Sequence, residues 1–117
     1  QDPLGIDQFS EPVPDAVLLK PRADFYAEGH PLPEDALLVI EVSDTTVRKD
    51  SKIKAPLYAE AGIAEYWQLD VNKEVLVVRT EPVAGEYVNV RFLHRGDSVT
   101  PQKLPNVSFT VDEILGP

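Results

Sequence analysis

Residues 36–42 read Ala36-Leu37-Leu38-Val39-Ile40-Glu41-Val42, and this stretch decides how the rest of the chain is understood. An almost unbroken apolar run of this length predicts a strand buried on both faces at the centre of a sheet. Glu41 interrupts the run. A carboxylate in a buried strand is costly unless it is paired or holds a metal. Either Glu41 lies at the strand end, partly exposed and paired with a lysine of the next helix, or it belongs to a site.

Downstream, Ser43-Asp44-Thr45-Thr46 offers helix-capping chemistry and leads into RKDSKIKAPLYAEAG, residues 48–62. Ile53 and Leu57 fall four apart there and Gly62 supplies a stop, so a helix is predicted. Pro56 removes one backbone donor and predicts either a kink or a helix that starts near Ala55. Residues 63–69 (IAEYWQL) and 74–80 (EVLVVRT) flank a turn at 70–73 and read as a hairpin. Residues 86–93 (EYVNVRFL) alternate, which predicts a strand with one solvated face. The tail reads as a short strand at 97–99, a turn with Pro101 and Pro105, a strand at 107–111 and a helical turn at 112–115.

Upstream, residues 13–19 (VPDAVLL) read as the first strand after a turn-rich lead-in over 1–12. Residues 20–34 (KPRADFYAEGHPLPE) hold three prolines and a glycine without periodicity. They describe a surface excursion long enough to act as a flap. Strand, strand, helix and then a run of antiparallel strands predicts a mixed α/β sheet with a helix on at least one face. The crossover between 36 and 69 is expected to be right-handed.

Composition bounds the function classes. The chain has 117 residues, 43% hydrophobic and 26% charged, which predicts one globular domain over 1–117. No window approaches the roughly 18 consecutive apolar residues of a membrane span, and Gln1-Asp2-Pro3 opens no signal peptide, so a soluble, cytoplasmic protein is expected. Without Met, and opening on Gln1, the sequence is not expected to be an intact translation product. The absence of Cys excludes disulfides, zinc-thiolate sites, iron-sulfur clusters and thiol nucleophiles. Any metal would be held by oxygen or by His30 and His94, and neither histidine has a metal-ligand neighbour at useful spacing. The net charge of −9 argues against a broad basic surface for nucleic acid and leaves room for a local basic stripe. Phosphate-cradling glycine loops, serine elbows and dinucleotide fingerprints do not occur.

Asp15, at the start of its strand, poses the same question as Glu41: it is a turn or edge carboxylate, or it works with Glu41. Adjacent strands with one carboxylate each can bring both within a few ångströms and bind a hard divalent cation, Mg²⁺ or Mn²⁺. Lys52 and Lys54 open the helix after Glu41. They are solvated surface groups, or one of them sets a cation beside the carboxylates. Tyr58 either lies against the sheet or reaches the site with its hydroxyl. Trp67 is expected in the core and Tyr66 on the other side of the strand, with Glu65 pairing to a helix lysine.

Taken together, Pro14-Asp15, Val39-Ile40-Glu41-Val42-Ser43, the Asp50/Lys54/Tyr58 spacing, Ala61-Gly62-Ile63-Ala64-Glu65-Tyr66-Trp67 and Asp70 resemble the Uma-two family of restriction-endonuclease-like proteins. That family belongs to the PD-(D/E)XK nuclease superfamily, and the resemblance runs from about Pro12 to Leu115. It implies a restriction-endonuclease-like fold, with Asp15 as the aspartate of the Pro-Asp motif and Glu41 as the second acidic metal ligand. The superfamily's lysine would fall at Ser43; the resemblance implies a lysine relocated to the helix, Lys54, with Lys52 as the fallback. It also implies that a helix and a pair of strands preceding the Pro-Asp motif are missing from this chain.

The function so implied is Mg²⁺-dependent hydrolysis of DNA phosphodiester bonds, with Asp15 and Glu41 holding the metal and Lys54 stabilising charge. The rival is a nuclease-like fold kept as a binding or assembly module without turnover. It draws on the net charge of −9, on Ser43 in place of the motif lysine and on the missing N-terminal elements. A homodimer is also expected, from the apolar strands between 65 and 93.

Overall fold

In the computed structural model, which describes residues 16–19, 35–43 and 47–116, with side chains given from Lys54 onward in the helix, two sheets and two helices follow one another along the chain. The order is β1 (Ala16–Leu19), β2 (Ala36–Ser43), α1 (Val47–Glu60), β3 (Glu65–Asp70), β4 (Val75–Val83), β5 (Glu86–His94), β6 (Ser98–Val99), β7 (Phe109–Thr110) and α2 (Val111–Leu115). The first five strands form one sheet in the order β1-β2-β3-β4-β5, and β6 and β7 form a second, two-stranded one. β2 and β3 pair in parallel, and the other neighbouring strands are antiparallel. The fold is the expected mixed α/β arrangement, with β2-α1-β3 as its crossover.

The most deeply buried strand is β3, all six of whose residues are buried. It lies between β2 and β4, and both of its faces are covered. Alternation divides its residues between two cores. Tyr66 packs with Val39, Tyr58, Ala59 and Ile63 under α1. Trp67 and Leu69 pack with Leu38, Leu76, Val78, Val99 and Val111 on the opposite face. The second sheet and α2 cover that opposite face, with Phe109 edge-on to Trp67 at 6.3 Å.

α1 runs from Val47 to Glu60 and contains Pro56, so it does not wait for Ala55 to begin. Pro56 is exposed, so its ring projects away from the sheet. The helix ends as its sequence predicts. Gly62 adopts φ +83°, and the bonds Gly62 N to Ala59 O and Ile63 N to Tyr58 O close a Schellman motif. Only a glycine reaches that conformation without strain. Because the helix stops there, Ile63 turns into the core and β3 starts at Glu65, two residues later than the apolar run implies.

β5 departs from the expectation of one buried face. Within it only Tyr87 is buried, and Leu93 is half-buried. The reason is position: β5 is the last strand of its sheet, and it meets the two cores only through Tyr87 under α1 and Leu93 on the opposite face. At the C-terminus, Thr110 accepts from Glu113 N at 3.0 Å and Glu113 accepts from Thr110 N at 2.8 Å. This reciprocal capping box starts α2 one residue before the expected turn. Among the described residues, no helix is long and apolar enough to cross a membrane.

Candidate functional site

Glu41 is buried, with 2% of its surface exposed, and it lies under α1 rather than at a solvated strand end. Alternation sends its side chain to the face that carries Val39 and Ser43. Both carboxylate oxygens are engaged. Lys54 Nζ donates to Oε1 at 3.1 Å, and the Tyr58 hydroxyl donates to Oε2 at 2.6 Å. Lys54 and Tyr58 are four apart on α1, and so share one helix face.

The two donors differ in kind. Tyr58 is fully buried. Burial first, and then its bond to Glu41, push its hydroxyl far above the ordinary phenol range, so it is a neutral donor at every working pH. Lys54 keeps 26% of its side chain exposed, which makes it the side from which solvent reaches the carboxylate. The centre thus has a fixed wall and an open, cationic edge.

A second layer holds this wall. Tyr66 meets Tyr58 edge-on, with ring centroids 5.0 Å apart. Arg79 lies 5.3 Å over the Tyr66 ring and donates to Gln68 Oε1 at 2.9 Å. Gln68 is fully buried and stands directly opposite Glu41 in the β2–β3 register. Burial lowers the Arg79 pKa, and the neighbouring Tyr66 and Tyr87 oppose that shift. A guanidinium stacked on an aromatic face and bonded to an amide tolerates such burial. Gln68 and Arg79 escape the sequence reading, although the signal is the one that exposes Glu41: a polar residue within an apolar strand.

The sequence-derived candidates divide as follows. Glu41, Lys54 and Tyr58 come together. Asp15, His30, and the side chains of Asp50 and Lys52 lie outside the described residues. Ala16, the residue after Asp15, pairs with Ile40, the residue before Glu41. Asp70 sits opposite Ser43, and its Oδ1 accepts from Asn72 N and Lys73 N, which shapes the β3–β4 turn. His94 is exposed at the end of β5. Among the described residues, Glu65 pairs with no helix lysine. It faces away from α1 and accepts from Trp67 Nε1 and from Gln102 N, both at 2.8 Å. Its place on the Trp67 side of β3 puts it out of reach of α1.

Among the described residues, no three His, Cys, Asp or Glu side chains gather as a metal-holding group. Glu41 supplies hard oxygen donors from a buried position, and oxygen donors suit a hard divalent cation rather than a soft metal.

The family model described as "Uma2: Putative restriction endonuclease" matches residues 1–112. No curated protein matches the chain.

Proposed function

The chain belongs to the Uma2 family, and from that premise we propose that it is a metal-dependent endonuclease-fold hydrolase of DNA phosphodiester bonds centred on Asp15, Glu41 and Lys54. The observation that carries this reading is the buried Glu41, joined to a half-open Lys54 at 3.1 Å and a buried Tyr58 at 2.6 Å. A carboxylate held this firmly is positioned to ligate a hard divalent cation, and the Lys54 ammonium beside it to offset charge that develops on a phosphate.

In this reading Asp15 and Glu41 hold Mg²⁺ or Mn²⁺. When bound, the cation supplies an activated water and polarises the phosphate. Tyr58 fixes the Glu41 rotamer by its neutral hydrogen bond. Lys54, the member open to solvent, meets the phosphate and offsets its charge. Gln68 and Arg79 keep the floor beneath Glu41 rigid.

A second reading, a binding or assembly module without turnover, has its own support. Ser43 stands at the superfamily's lysine position, and Glu41 already has a donor on each oxygen. The two readings part in one experiment. Cleavage of plasmid DNA is measured with Mg²⁺, with Mn²⁺ and with chelator, for the parent, Asp15→Ala and Glu41→Ala. The hydrolase reading expects metal-dependent cleavage that either substitution reduces by about two orders of magnitude or more. Cleavage that survives both substitutions unaltered overturns the assignment, and no cleavage in the parent favours the module.

A further inference from the structure

β5 closes the five-stranded sheet on one side, and among the described residues nothing pairs with its outer edge. The strand is nine residues long, against a usual length of about five or six. Residues 88–93 (VNVRFL) contain no proline, no glycine and a single charge, Arg91. Sheets normally blunt a free edge with proline, lysine, a bulge or a very short strand, because its open N–H and C=O groups invite another chain. Val88, Val90 and Phe92 alternate along β5 and are 67%, 41% and 62% exposed.

From this edge we infer that β5 pairs with β5 of a second copy, antiparallel, about a two-fold axis through Val90. The register follows from symmetry. Residues directly opposite in an antiparallel pair point to the same face, so a two-fold edge pairing centres on a residue and not between two. Val90 is the midpoint of Glu86–His94, and centring there engages the whole strand. Val88 then opposes the second copy's Phe92, Val90 opposes Val90, and Asn89 opposes Arg91. The carboxylate of Glu86 opposes the imidazole of His94, a potential hydrogen-bond donor, and no like charges meet. Other centres serve less well. Centring on Arg91 sets two guanidiniums against each other, centring on Asn89 sets Phe92 against Glu86, and centring on Val88 sets Val90 against Glu86. Opposed apolar pairs stabilise a sheet and opposed like charges destabilise it.

The full chain tests this directly. Light scattering is expected to give twice the 13.0 kDa chain mass. The protein has no cysteine, so a single introduced thiol reports the register without interference. Val90→Cys places two sulfur-bearing residues about 4.5–5.5 Å apart at Cα, within disulfide reach, and is expected to cross-link on mild oxidation. Val88→Cys separates them by roughly 13 Å along the strand and is expected not to. Val90→Arg is expected to weaken the dimer about tenfold. A parent that stays monomeric at all concentrations overturns the inference. So does cross-linking of Val88→Cys as fast as of Val90→Cys, or a dimer that Val90→Arg leaves intact.

Discussion

Tyr58 and Glu41 lie 17 residues apart in sequence and meet at 2.6 Å, both buried between α1 and β2. This bond makes the register of the helix over the sheet and the orientation of the carboxylate one structural fact. Tyr58→Phe keeps the ring contact with Tyr66 and removes the donor. Because Glu41 Oε2 then lacks a partner in a buried place, unfolding free energy is expected to fall by about 1–3 kcal/mol, read from urea denaturation. Metal-dependent DNA cleavage is expected to fall as well, through loss of carboxylate positioning.

Lys54 and Lys52 separate cleanly by substitution. Lys54→Met retains most of the aliphatic length and removes the cation beside Glu41, leaving a buried charge with one donor fewer. A stability loss of about 3 kcal/mol is expected, the low end for a broken buried pair because Lys54 is partly open. DNA cleavage is expected to drop about 100-fold. Lys52→Met is expected to leave stability within about 0.5 kcal/mol and cleavage within about twofold. The reverse ranking in cleavage would make Lys52 the site lysine.

On the opposite face, Glu65 ties β3 to the segment that joins the two strands of the second sheet, 37 residues away at Gln102. Glu65→Ala leaves the Trp67 indole and the Gln102 amide without their acceptor. A destabilisation of about 3 kcal/mol is expected, together with a change in indole emission. Glu41-dependent cleavage per folded molecule is expected to be unchanged, since Glu65 faces away from α1.

The tyrosines set an alkaline limit. Burial, followed by Glu41 for Tyr58 and by Tyr66 for Tyr87, raises the pKa of both hydroxyls well above 10.0. The unfolded chain loses these protons near pH 10 while the folded chain retains them, so the folded state binds more protons there. The stabilisation is therefore complete below about pH 10 and is lost progressively as pH rises further. Urea midpoints between pH 8 and 11 are expected to fall steeply for the parent. In Tyr87→Phe, which lacks the bond to Ile63 O, the slope is expected to be shallower.

Much of this architecture is legible from residue pattern because each strand carries its own signal. The apolar run around Val39, the helix stop at Gly62 and the turn at Asp70 each fix a local choice that the fold keeps. Glu41 and Lys54 stand out for one reason, a charge or cation where an apolar neighbourhood demands an explanation. What the pattern does not hold is pairing across the sheet. Gln68 faces Glu41, and Arg79 reaches Gln68, only because β3 lies between β2 and β4 in a particular register. Glu65 goes to Trp67 and not to a lysine because alternation turns it to the far face. Its other donor, Gln102, comes from a loop that leaves no periodic trace.

Trp67 is the sole tryptophan of the chain, held by Glu65 and flanked by Phe109 on the side of β3 away from Glu41. The sheet therefore acts as an optical partition: indole emission reports whether the α2 layer is in place and is insulated from events around the carboxylate. A cation or oligonucleotide titration that leaves this emission flat while heat is exchanged would register occupancy on one side alone, and a titration that shifts both would register a change of the whole body. The protein carries its own internal control for telling a bound state from a loosened one.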